Sequence, residues 1–142
     1  MAELLGQHRY QLDTKGRIAL PAKFREAFAE GVYLTLGQDG CLFAFPREEW
    51  ERRSEEVRTA RLSGGAARAY ARMFFGNADR ADLDGQGRLV IPQRLRAQIG
   101  LQREVVVAGV SERLDLWASD AWERYERDHA GAYASGALDP QA

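Results

Sequence analysis

The side chains with the most capacity for chemistry come in two matched sets. Residues 12–25 read LDTKGRIALPAKFR and residues 83–96 read LDGQGRLVIPQRLR. Each set places an aspartate four residues ahead of an arginine, Asp13 with Arg17 and Asp84 with Arg88, and puts a glycine directly before that arginine. An aspartate at the mouth of a tight turn accepts hydrogen bonds from backbone N–H groups two or three residues on. It is also spaced to pair with the arginine. For the aspartates, a role confined to holding the turn stands beside a role in ligand contact. The cations go further, because a turn needs neither an arginine after it nor Lys15 at its tip. Arginine binds guanine O6 and N7 as a bidentate pair in the major groove of DNA, and both basic side chains neutralise phosphates. A two-stranded ribbon is narrow enough to enter that groove. Arg17, Lys15 and Arg9 are expected on one face of such a hairpin.

The overall charge does not advertise this chemistry. Twenty Lys and Arg stand against 21 Asp and Glu, for a net charge of −1 over 142 residues. A nucleic-acid reading therefore requires local concentration of positive charge. Between His8 and Arg25 the chain carries Arg9, Lys15, Arg17, Lys23 and Arg25 against the single acid Asp13. Acids cluster elsewhere, as at Glu48, Glu49, Glu51, Glu55 and Glu56. The second set is less basic: Gln86 stands where the first has Lys15, and Asp79 and Asp82 lie close by. The two turns are expected to contribute unequally, with Arg17 and Lys15 the stronger pair.

Other chemistries find little support. The two histidines, His8 and His129, are far apart in sequence, and no metal-ligand cluster, nucleophile elbow or phosphate-binding loop is present. Asp13 and Asp84 could meet as a carboxylate pair, but each has an arginine to engage it. No catalysis, cofactor or metal is expected. Cys41, the single cysteine, has no disulfide partner in the chain and reads as a small buried hydrophobe. No apolar run approaches the roughly 20 residues that span a bilayer. The first residues carry no basic, cleavable leader, so a cytoplasmic protein is expected.

The elements that must position these residues also come twice. Leu, Asp, Gly, Arg, Pro and the final Arg recur at an offset of 71, and Leu42, Phe45 and Trp50 recur as Leu114, Trp117 and Trp122 at an offset of 72. In each copy a strand (8–12; 78–83) leads to the turn, and a short apolar strand follows (17–20; 88–91). Proline then opens a helix (21–29; 92–98), where its missing N–H costs nothing. Two more strands close the copy (32–36 with 41–45; 104–108 with 113–117), and a helix ends it. The first of these helices starts near Pro46 and carries Trp50 and Val57. The second is expected to be capped by Ser119, with Asp120 in its first turn. Ser63-Gly64-Gly65 breaks the helical pattern, and a further helix over 66–75 places Tyr70, Met73 and Phe74 on one face, as core or as an oligomer contact. The expected organisation is a first module at 4–60, a helical linker at 61–76, a second module at 77–128 and a frayed tail at 129–142.

The paired segments resemble the duplicated D-x-x-G-R…P…R signature of MraZ proteins, within the AbrB-like swapped-hairpin superfamily. The similarity takes in Gly6, Leu42…Trp50, Arg72…Phe74-Phe75 and Leu116-Trp117…Trp122, and covers about residues 4–128. It implies an α+β fold, mainly β, in which two AbrB-like modules interlock into one pseudo-twofold swapped-hairpin β-barrel with peripheral helices. It also implies a nucleoid-associated transcriptional regulator of the bacterial cell-division and cell-wall gene cluster. The implied partners are G-rich direct DNA repeats upstream of the protein's own operon, and further copies of the chain in a ring-shaped homo-oligomer. Asp13, Arg17, Asp84 and Arg88 are the family-pattern contact positions. Leu4-Leu5 stands where the family more often has an aromatic before the glycine. An AbrB-like antitoxin that holds a protein partner is the other reading, and the short, small-residue tail speaks against it.

Overall fold

The computed structural model describes residues 3–141. In chain order the elements are β1 (Gln7–Gln11), β2 (Arg17–Ala19), two consecutive 3₁₀ turns (Ala22–Phe24 and Glu26–Phe28), β3 (Val32–Leu36) and β4 (Leu42–Pro46). Then come α1 (Arg47–Ala60), a 3₁₀ turn (Arg61–Ser63), α2 (Gly65–Gly76), β5 (Asp79–Ala81) and β6 (Arg88–Val90). The chain ends with α3 (Gln93–Gln98), β7 (Glu104–Gly109), β8 (Leu114–Ala118) and α4 (Ser119–Ala134).

The copies are interlocked through their strands. One antiparallel sheet has the order β1-β7-β8-β4-β3-β5, and β2 pairs with β6 in a separate ribbon. Exchanging each strand for its counterpart in the other copy reverses the sheet order and leaves it unchanged. The first strand of each copy pairs with a strand of the other: β1 lies on β7, and β5 lies on β3. The ribbon obeys the same symmetry, with Ile18 opposite Leu89 at its centre. Backbone bonds outside the ladders repeat it again, Leu20 N to Gly87 O at 3.0 Å and Ile91 N to Gly16 O at 2.9 Å. The tight turn after β1 therefore does not close a local hairpin ladder. It delivers β2 to the opposite copy.

Alternation in the ribbon decides which side chains face in. Ile18 and Leu89 are buried, whereas Arg17, Ala19, Arg88 and Val90 project outward. Side chains two apart share a face, and directly opposed residues share it too. The inward pair joins a core of Leu20, Phe24, Phe28, Leu34, Leu42, Leu95, Leu114 and Leu116 between the ribbon and the six-stranded sheet. Full burial of each such side chain is worth about 1.5–3 kcal/mol. The other face of that sheet carries a second, aromatic core of Phe43, Phe45, Phe74 and Trp117, covered by α1, α2 and α4.

Three local expectations are corrected. The helix expected over 21–29 is two 3₁₀ turns, held by i→i+3 bonds such as Phe24 N to Pro21 O and Phe28 N to Arg25 O. So short a segment has little helical stability of its own, and packing of Phe24 and Phe28 decides its winding. Ser119 is not the cap of α4: Ala118 holds that position, and the Ser119 hydroxyl accepts from Arg9 Nη1 at 3.0 Å. The chain is still helical at 130–134, since α4 runs to Ala134 where a frayed tail was expected. On the α2 face expected to be core or an oligomer contact, Phe74 is buried with Ala71 against the sheet, and Met73 is 58% exposed.

Candidate nucleic-acid interface

The two D-x-x-G-R turns are geometrically the same object. Asp13 Oδ1 accepts from the backbone N–H groups of Lys15 and Arg17, both at 2.9 Å, and Oδ2 accepts from Arg17 Nε at 2.7 Å. Asp84 repeats this with Gln86 and Arg88 at 2.9 Å and with Arg88 Nε at 2.7 Å. The backbone closes each turn as well, with Gly16 N to Asp13 O at 3.0 Å and Gly87 N to Asp84 O at 2.9 Å. Both glycines sit in the left-handed region, φ +78° and +73°. Donated backbone N–H groups favour the charged carboxylate. Those of Arg17 and Arg88, ahead of the guanidinium bonds, hold Asp13 below the usual carboxylate range and push Asp84 down to about 2.

Each aspartate therefore fixes its arginine at Nε only. Among the described residues, the terminal nitrogens of Arg17 and Arg88 have no bonding partner in the chain, and the side chains are 25% and 32% exposed. The ribbon register puts Arg17 opposite Val90 and Arg88 opposite Ala19. Two strands and a two-residue stagger set the Cα atoms of the two arginines about 8 Å apart on the same outward face. Two charged forks held in fixed orientation, side by side on a ribbon, suit a row of acceptors such as guanine edges or phosphates. At the tips, Lys15 and Gln86 are exposed, and among the described residues their side chains have no hydrogen-bond partner.

A second pair of arginines does structural work that the sequence did not disclose. Arg25 Nε donates to Leu20 O at 3.3 Å, and Arg96 Nε donates to Ile91 O at 2.9 Å. Arg96 then lies over Gly16, where an added Cβ would come within 2.8 Å of its guanidinium carbon, and Arg25 lies over Gly87 in the same way. The final arginine of each segment thus covers the turn of the opposite copy. Its recurrence at the same offset was the available signal, but nothing local says that its target lies in the other repeat.

Arg9 is not beside the turns. It sits on the outer face of β1, where Nη1 donates to Ser119 and lies 3.5 Å from Glu123 on α4. The ribbon thus brings Arg17 and Arg88 together, with Asp13, Asp84 and Lys15 around them, and leaves Arg9 on the helical side. Among the described residues there is no group of three side chains placed to hold a metal ion. Among the described residues, no helix is long and apolar enough to cross a membrane.

A family model described as "MraZ protein, putative antitoxin-like" matches the chain twice in tandem, at residues 4–73 and 74–135. The chain belongs to the MraZ family. The two MraZ matches meet inside α2, and each contributes three of the six strands of the palindromic sheet, two central ones and the edge strand on the far side. Among MraZ relatives, a protein of Pelotomaculum thermopropionicum named "Transcriptional regulator MraZ" is 43% identical over 129 residues, 91% of this chain and 89% of the relative. Proteins of the same name from Saccharopolyspora erythraea and Paenarthrobacter aurescens are 45% and 46% identical over 130 residues, each covering 92% of this chain and 91% of the relative.

Proposed function

We propose that the chain is a transcriptional regulator that binds DNA through the outward face of the β2–β6 ribbon. The observation that carries this reading is the pair of Asp-oriented arginines, alike in every bond and set side by side on one exposed face. Arg17 and Arg88 make the base or phosphate contacts. Lys15 adds a phosphate contact at one tip. Asp13 and Asp84 are positioning residues, since their oxygens are already engaged by the turn and the arginine. Arg9, tied to α4, contributes at most to the long-range field. The names of the relatives support the regulatory role, and membership in the family supports the finer reading. On that reading the target is a set of G-rich direct repeats at the promoter of the protein's own cell-division and cell-wall operon. The working form is a ring of copies acting in the cytoplasm at the nucleoid. A ring lets several weak contacts act together through effective concentration, which makes a net charge near zero tolerable.

The test is a titration of DNA from upstream of the gene with wild type, Arg17→Ala and Arg88→Ala. Each variant is expected to keep its circular dichroism spectrum and lose about 1–3 kcal/mol of binding per site, as for one good guanine contact. Unchanged affinity in both variants rejects the reading.

A further inference from the structure

The β2–β6 ribbon is short for a surface that must hold two side chains in register. Only three residue pairs join its strands, and a two-stranded ribbon is marginal by itself in water. Each turn is closed by its own bonds, which leave its seat against the other copy open. That seat is made by residues just beyond the strands. Ile91 N donates to Gly16 O at 2.9 Å, and Ile91 O accepts from Arg96 Nε, also at 2.9 Å. The Arg96 guanidinium then returns to Gly16, where a Cβ would stand 2.8 Å from Nη2. Gly16, Ile91 and Arg96 thus form a closed loop of contacts, and two of the three belong to the second copy. Leu20 and Arg25 close the same loop on Gly87, with Leu20 N to Gly87 O at 3.0 Å and Arg25 Nε to Leu20 O at 3.3 Å.

The peptide unit between Gly16 and Arg17 is consequently held on both edges. Its N–H donates to Asp13 Oδ1 within the turn, and its carbonyl accepts from Ile91 of the other copy. Rotation of this unit re-aims Arg17. A planar guanidinium packed on the glycine backbone resists that rotation, whereas a lysine ammonium, a point charge on a flexible stem, does not. The two loops are unequal. Arg96 is half-buried and bonds at 2.9 Å, while Arg25 is exposed and bonds at 3.3 Å.

We propose that Arg96 and Arg25 are positioning residues that act across the copies, Arg96 on the fork of Arg17 and Arg25 on the fork of Arg88. The inference rests on the DNA-binding reading above and names what sets its two forks in register. Each half of the duplicated chain then reads DNA only as well as the other half holds it. The tighter loop belongs to the turn that carries Lys15 and Arg17.

A fluorescence anisotropy titration of the full chain on a duplex from upstream of its gene tests this through double-mutant cycles. Arg96→Ala is expected to weaken binding about tenfold, and Arg25→Ala less. Added to Arg17→Ala, Arg96→Ala is expected to cost less than about twofold more, because the fork it positions is gone. Added to Arg88→Ala, it is expected to multiply the two losses. Arg25→Ala is expected to show the reverse pairing. Arg96→Lys does not rescue, and the slope of log K against log salt stays at the wild-type value, since no phosphate contact is removed. Circular dichroism checks each fold, and Arg96→Gln replaces Arg96→Ala should that variant misfold. Unchanged affinity in Arg96→Ala, or losses that multiply with Arg17→Ala, overturns the inference and leaves DNA binding standing. Rescue by lysine with a slope shallower by about 0.9 per site in Arg96→Ala overturns it in favour of a direct phosphate contact. Unchanged affinity in both Arg17→Ala and Arg88→Ala overturns the DNA-binding reading and this inference with it.

Discussion

The first and second turns make the same hydrogen bonds at lengths that agree within 0.1 Å, yet differ in the residues at their tips. Thr14 and Lys15 in one correspond to Gly85 and Gln86 in the other. Bond pattern and surface chemistry therefore separate. The bonds belong to Asp, Gly and Arg, which recur because the turn cannot be made otherwise. The tip faces solvent, where a substitution leaves the turn's bonds unchanged, so the two turns differ only in the surface they present.

The sharpest way to break the equivalence is to remove the arginines together. Arg17→Ala with Arg88→Ala is expected to cost about 2–6 kcal/mol in DNA affinity, twice the single-contact range, with Arg17→Ala the larger single effect. Equal single losses in a titration would show that the two arginines contribute alike. The glycines come next. Gly87→Ala forces a side chain into the left-handed region, which costs about 1–2 kcal/mol, and pushes Arg25 off its carbonyl. A total near 2 kcal/mol is expected in urea denaturation. Gly85→Thr, which copies the first turn at an open position without positive φ, is expected to stay within about 0.5 kcal/mol of wild type. Gln86→Lys then makes the tips more alike. It is expected to raise affinity at low salt and steepen the log K against log salt slope by about 0.9 per binding unit. The smallest effect is that of pH. Asp84 titrates at about 2 in the fold, against about 3.9 in an unfolded chain. Its contribution to stability is complete above pH about 4 and is lost as pH falls toward 2. Asp13, also lowered, acts in the same direction. Asp84→Asn is expected to flatten that part of the stability curve in acid titrations followed by circular dichroism.

Much of the candidate site was legible because its bonds are local. An aspartate, a glycine and an arginine within five residues contain the whole turn, and alternation of Arg17-Ile18-Ala19 states which side chain faces outward. Arg9 was misplaced for the reciprocal reason. Its partners, Ser119 and Glu123, are more than a hundred residues away, and local charge density cannot report them. The two 3₁₀ turns and the capping of α4 by Ala118 were likewise decided by what each segment packs against.

By itself the sequence determined the duplication, the two turns and their orienting aspartates, and the alternation that buries Ile18 and Leu89. All follow from contacts within a few residues, where covalent geometry and side-chain chemistry leave one solution. Only the tertiary structure decided that β2 pairs with β6 rather than with its own neighbour, which brings Arg17 and Arg88 onto one face. It also decided that Arg25 and Arg96 each guard the other copy's glycine. Pairing between strands 71 residues apart depends on burying one shared core, and no local pattern encodes which of two equivalent partners a strand will take.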